Sequence, residues 1–388
     1  MNKTVFKSSL VVVALAFFIS CSDNDDNANV TKKQVIENYA SIVYANYQKA
    51  YDDVVVLETA INTFTANPSQ TNFTTAKDAW LTARESYGTT EAFRFANGPI
   101  DNQDGPEGFI NSWPLDEGYI DYVEGNATSG IINMSAEFPS ITKEVLEDEN
   151  GKNDNETYVT VGYHAIEFLL WGQDLTAPSE KKPGLRPYTD YLITGGTASN
   201  QSRRATYLKV CADLLSDHLL YLVNQWKIGG VYRTTFLGLD ENQAIKNMYL
   251  GITTLSSSEL PVERMLVALG NQSQEDEHSC FSDNTHRDII LNLQGVVNVY
   301  QGKYGSIDGP SLEDLVRQAD ASVFAATQLI LNTAQSDASA IAIPFDFAIS
   351  GGANSVEGAK VKIAAEAIKK LSVDLLDGAT KIGIIVNS

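Results

Sequence analysis

Cysteine is scarce in this 388-residue chain, with three copies, so a disulfide framework cannot be what holds it together. A large hydrophobic core must carry stability instead. Lysine and arginine are also few, 28 against 49 aspartates and glutamates, for a formal charge of −21. That balance excludes nucleic acid as a partner, because phosphate binding needs clustered cations. Cations are the natural counter-ligands of such a chain, although acidity also serves solubility alone. The HExxH pattern is missing, as are a phosphate-cradling glycine loop and any motif that frames a Ser, Cys or Asp nucleophile. So is a series of alternating strands with hairpin turns.

The one long apolar run lies at the N-terminus, from Leu10 to Ile19 behind Lys3 and Lys7. In a helix it would cover about 15 Å, half of a ~30 Å hydrocarbon core, which is too short for a transmembrane anchor. It is expected to be a signal peptide over residues 1–20. Phe18-Ile19-Ser20-Cys21 resembles a bacterial lipobox, with Phe18 in place of the usual Leu, which makes Cys21 the expected lipidation site. Residues 21–31 then form an acidic, polar tether too poor in apolar residues to fold. An acidic run after the cysteine also resembles the surface-export signal of Bacteroidetes lipoproteins. The expected location is the outer membrane, on its periplasmic or cell-surface side, held by lipid. Cys211 and Cys280 remain, and nothing in the sequence brings them together.

What is abundant is helical periodicity. Ile245, Met248, Tyr249, Ile252 and Leu255 repeat at three and four residues, as do Val361, Ala364, Ile368, Leu371 and Leu375, and such stripes bury one helix face. The pattern predicts an all-α fold with helices near 32–66, 71–95, 158–172, 201–227, 240–269, 286–302, 311–334 and 355–377. These suit two four-helix-bundle-like domains packed together, an N-terminal one over 32–230 and a C-terminal one over 231–388, divided near Gly229-Gly230.

Two long loops break the pattern. ANGPIDNQDGPEGFINSWPLDEG mixes acids with Trp113, Pro106 and Pro114, and GNQSQEDEHSCFSDNTHRD collects acids, His278, His286 and Cys280. Long ordered loops on a helical scaffold are disproportionately functional, and these are expected at the contact between the bundles. Glu91 and Arg94 precede the first loop much as Glu263 and Arg264 precede the second.

The sharpest chemical signal is GYHAIEFLLWGQD. His164 and Glu167 are three apart, so on a helix they share a face about 5–6 Å apart at Cβ. Imidazole and carboxylate at that spacing can bind one divalent metal. Equally, they can form a buried hydrogen bond that only orients a helix, since two ligands fall short of the three or four typical of zinc. His218 lies among leucines and reads as a core or edge histidine.

The ordered set EAFRFANGPID, INSWPLDEGYIDYV, GYHAIEFLLWGQD and EDEHSCFSDNTHRD resembles the imelysin-like family, in its iron-regulated protein A branch. Gly162, His164 and Glu167 match the family's GxHxxE signature. The resemblance implies two related bundles with a site between them, in proteins linked to bacterial iron uptake. Some relatives were classed as metallopeptidases, whereas related domains in ferrous-iron import favour binding over hydrolysis. The leading expectation is a metal-binding lipoprotein of iron acquisition. His164 and Glu167 would hold iron, zinc or another divalent metal, or an iron chelate. Glu91, Arg94, Asp101, Asp116, Glu117, Arg264, Glu277, His278, Ser282 and Asp283 are further ligand-binding candidates, the arginines offsetting carboxylate charge or gripping an anionic chelate. Outer-membrane or periplasmic iron-uptake proteins are the expected partners. The alternatives are a metal-dependent peptidase in which Glu117 or another loop acid activates water, and a non-catalytic module that binds a peptide or glycan.

Overall fold

The computed structural model describes residues 29–103 and 105–386. The expected signal peptide and the expected lipidation site Cys21 lie outside the described residues. The described chain is all-α apart from one two-stranded hairpin, Lys303–Tyr304 with Ile307–Asp308. No described helix is long and apolar enough to cross a membrane.

Four helices make the first bundle. Helix α1 (Lys32–Ala66) begins at a capping box, in which the Thr31 hydroxyl accepts from Gln34 N and Gln34 returns to Thr31 N. It packs along α2 (Gln70–Gly88) and α4 (Gln201–Trp226), with α3 (Gly162–Trp171) against α2 and α4. All ten residues of α3 are buried, which accounts for its nearly unbroken apolar composition. The second bundle comprises α5 (Glu241–Thr254) and its continuation to Leu266, α6 (Thr285–Gln301), α8 (Ala321–Ser339) and α9 (Val356–Lys381). The segment Val231–Leu237 packs on α1 and α4, where Phe236 meets Tyr39 and Trp226.

Two helices differ from the periodicity. The single helix expected over 311–334 is split into α7 (Leu312–Ala319) and α8, because Asp320 leaves helical geometry to cap the second, accepting from Ser322 N at 3.0 Å and Val323 N at 3.2 Å. Past α5, residues Leu255–Leu266 widen into π-helical turns around Pro261, which has no N–H to give the ladder. Residues five apart point away from each other in an α-helix. Here the wider turns bring Glu259 and Arg264 together, the guanidinium donating to the carboxylate at 3.1 Å.

The bundles meet where α6 crosses α2 and the 3₁₀ turn Thr89–Phe93. The backbones approach so closely that a Cβ on Gly295 would lie 2.5 Å from Thr89 O, and one on Gly251 2.5 Å from Ala92 O. Both long loops come to this seam.

Candidate functional site

A cleft of about 440 Å³ opens at the seam, lined among others by Arg94, Glu107, Trp113, Glu259, Arg264 and His278. Its wall is ionic. Arg264 donates to Glu91 at 2.6 Å and Arg94 lies 3.8 Å from the same carboxylate, while both arginines reach Glu259. The arginines of the similar Glu/Arg pairs ahead of the two loops thus converge on Glu91 and Glu259, while Glu263 only lines the cleft. Arg94 also pairs with Glu107 at 3.2 Å and Asp101 at 3.5 Å. Burial works against the charge of Glu91, yet Arg264 and Arg94 outweigh it and hold its pKa down to about 2. At Glu107 burial wins over Arg94 and lifts the pKa to about 7.

Two histidines follow, His278 in the cleft wall and His164 behind it, each with Nδ1 tied to an acidic side chain. His278 Nδ1 meets Asp288 Oδ2 at 2.9 Å, and Asp288 also accepts from Ser279 Oγ at 2.6 Å and Arg84 at 2.7 Å. His164 Nδ1 meets Glu167 Oε2 at 2.9 Å, and Glu167 Oε1 accepts from both Ser282 N at 2.9 Å and Ser282 Oγ at 2.7 Å. The rings stand edge to face with centroids 4.7 Å apart, and Trp113 covers His164 at 5.0 Å. His164 and Glu167 side chains are fully buried. His164 Nε2 has no hydrogen-bond partner. His278 Nε2 has only a 3.5 Å contact with Asn111 Nδ2.

Burial sets the protonation. It holds His164 well below its usual pKa, reinforced by His278 and Arg84, and takes His278 down to about 4 despite Asp288. It lifts Glu167 to about 8, against the pull of the Ser282 hydroxyl. For Asp288 burial loses to Arg84, His278 and Ser279, which keep the carboxyl well below its ordinary range. Both imidazoles are therefore neutral at neutral pH, and with Glu167 protonated against His164 Nδ1 a metal at His164 Nε2 would bind with release of one proton.

Among the described residues, no third His, Cys, Asp or Glu donor converges with His164 and Glu167 on one point. Both Glu167 oxygens are engaged by the protein, so as it stands this carboxylate orients His164. Asp116 is exposed, and Glu117 faces Glu275 and Gln173. Neither lines the cleft. Glu277 and Asp283 lie within electrostatic reach of Asp346 and Asp174, a separate group from the paired histidines. His218 stacks on Phe109 at 5.1 Å. Sequence reasoning passed over Arg84, Asn111, Glu107 and Glu259, because no local motif frames them. Asp288 was visible only as one more acid of the second loop.

The imelysin family model, peptidase family M75, matches residues 43–375. This chain belongs to the imelysin family. Among its relatives is "Iron-regulated protein A" of Synechococcus elongatus, 25% identical over 274 residues, 70% of this chain and 64% of that protein. The matched part thus spans under two thirds of that relative. The crystal structure of a chain described as an iron-regulated protein A precursor from Parabacteroides distasonis superimposes with a TM-score of 0.69 at 20% identity, over 92% of this chain and 97% of that one. The imelysin-family fold of two bundles is thereby common to both.

Proposed function

We propose that this imelysin-family chain binds a divalent metal or a small iron chelate at the seam between its bundles and serves iron acquisition as an outer-membrane lipoprotein. The observation that carries the reading is the buried His164 Nε2 with nothing to bond to. A buried polar atom left unpaired costs about 1–3 kcal/mol, and a metal ion would satisfy it. The protein would offer such an ion two imidazole nitrogens, with water or the chelate itself filling the rest of its shell. His164 and His278 would give imidazole nitrogens, while Glu167 and Asp288 fix their rings from the Nδ1 side, the usual outer partner of a metal-bound histidine. Arg94 and Arg264 at the cleft would face the anionic part of a chelate, and 440 Å³ suits a small ligand. The name of the Synechococcus relative supports the link to iron. The peptidase alternative is disfavoured by ligand chemistry, because a hydrolytic zinc site takes three protein ligands and an open water position. Here the paired side chains are enclosed and a third donor does not converge with them.

The test is metal titration of the soluble chain beginning near Asn27, purified without chelator. Wild type is expected to take up ferrous or zinc ion at this site, and His164→Ala to weaken that binding by at least ~10–100-fold, the loss already common for outer-shell changes. Equal affinity and stoichiometry in wild type and mutant would sink the assignment. Chelator-sensitive cleavage of casein by pure protein, lost in Glu167→Gln, would promote the peptidase reading.

A further inference from the structure

A second group of acids lies apart from the paired histidines. Asp174 follows the C-terminal end of α3, Asp283 is in the loop before α6, and Asp346 is in the short helix Phe345–Ile349 of the second bundle. The three are buried, and one carboxylate oxygen of each lies within 4.8 Å of the others. Oxygens bound to one calcium ion at 2.3–2.6 Å sit within about 5 Å of one another, so the spacing is that of ligands around a common centre.

Proximity of acids alone would not make a site. A separate observation does: Glu277 is 1% exposed, and neither of its carboxylate oxygens has a hydrogen-bond partner. The Thr285 hydroxyl gives it partial relief, short of an ordinary hydrogen bond, and its nearest charges are Asp346, Asp283 and Asp174. Asp346 Oδ2 is likewise buried and unpartnered, while Oδ1 takes only Phe347 N. Burying a bare carboxylate is costly unless a cation or donors meet it. Among the described residues, the cation that acts on Asp346 is Lys181, which lies over the Phe347 ring at 3.8 Å. Four carboxylates against one lysine leave an excess of negative charge.

We infer that Asp174, Asp283 and Asp346, with the buried Glu277 carboxylate adding negative charge beside them, form a calcium-binding site that joins α3 and the second loop to the second bundle. An all-oxygen, carboxylate-rich set suits a hard cation, and one drawn from three separate segments suits the larger, geometrically tolerant calcium over magnesium, which demands near-ideal octahedral geometry. Electrostatics agrees: without a cation, burial and mutual repulsion lift Asp283 to about 7, and burial with Asp174 lifts Asp346 to about 6. The site also deepens the reading of the seam, since Asp283 adjoins Ser282, the donor to Glu167.

The experiment is calcium titration of the chelator-stripped chain by calorimetry, with thermal melts in chelator and in millimolar calcium. Wild type is expected to bind one calcium per chain and to melt roughly 5 °C higher with it. The double variant Asp283→Asn with Asp346→Asn should lose that response and weaken binding at least tenfold. In chelator it should melt at or above wild type, because the repulsion is gone. His164→Ala should keep the calcium response, so failure of the histidine site and of this one are distinguishable. Absence of calcium binding by folded wild type at millimolar concentration, or an unchanged isotherm in the double variant, would overturn the site. A variant that melts lower in chelator while wild type ignores calcium would assign the acids to internal bonding.

Discussion

At Gly162 the backbone takes φ +89°, and an added Cβ would lie 2.5 Å from Ile110 O. The glycine of the GxHxxE signature is thus required twice over, by a left-handed conformation and by the approach of the first loop. It lets residues 107–114 close over α3, which sets Trp113 on His164. Gly162→Ala is expected to cost about 1–3 kcal/mol and to weaken metal binding by moving that loop, read by urea denaturation and metal titration. Stability and affinity both equal to wild type would show the contact to be slack. His164 and Glu167 were legible because their spacing and apolar surroundings lie within one helical turn. Their surroundings were not, since Ser282 reaches Glu167 from 115 positions away, and only the fold makes that meeting.

Among elements, the short segment after Ile120 is pinned by a buried ion cluster that no motif advertises. Asp121 accepts from Arg186 at 2.6 Å and from Arg204 through two nitrogens at 2.6 and 2.9 Å, tying the loop after α3 and the first turn of α4 to one carboxylate. The arginines overcome burial and keep its pKa near about 2. Asp121→Asn leaves two buried guanidinium groups short of a counter-charge and is expected to cost about 3–5 kcal/mol. Exposed Asp116→Asn should stay within about 0.5 kcal/mol. Denaturation of the two variants side by side checks this, and equal losses would refute it. Helix existence was readable wherever an apolar stripe had neighbours to bury against, as along α5 and α9. The break at Asp320 was not, because the apolar pattern continues through it while a single side chain caps the next helix. The π-helical widening was hidden too, since Pro261 signals only that an α-ladder must give way, without saying how.

At the scale of the whole molecule, some of the acids are held where burial makes them reluctant to ionise. Glu275 is lifted to about 7 by burial and by Glu117 opposite, and Glu107 to about 7 by burial. A carboxyl whose folded pKa exceeds its unfolded value near 4.5 stabilises the fold below that value and loses the contribution as pH rises through the folded pKa. The melting temperature in chelator is therefore expected to fall between pH 6.5 and 8, and Glu275→Gln to flatten part of the slope. The depressed histidines act in the opposite sense but lower, as His278 does between its unfolded 6.5 and about 4, so they leave this window nearly untouched. A melting temperature that climbs from pH 6.5 to 8 would contradict the assignment.

Cys211 and Cys280 are both free and enclosed, and burial pushes both thiols well above their ordinary pKa. Thiolate, the species that oxidants attack, is thereby scarce in the folded chain. If the chain is an outer-membrane lipoprotein, as proposed, and meets oxidants before it folds, maturation becomes a race between burial and oxidation. A chain that folds first needs no disulfide-forming catalyst and no later repair. One delayed in the compartment exposes two sulfurs with no native bridge to make, and its errors are covalent.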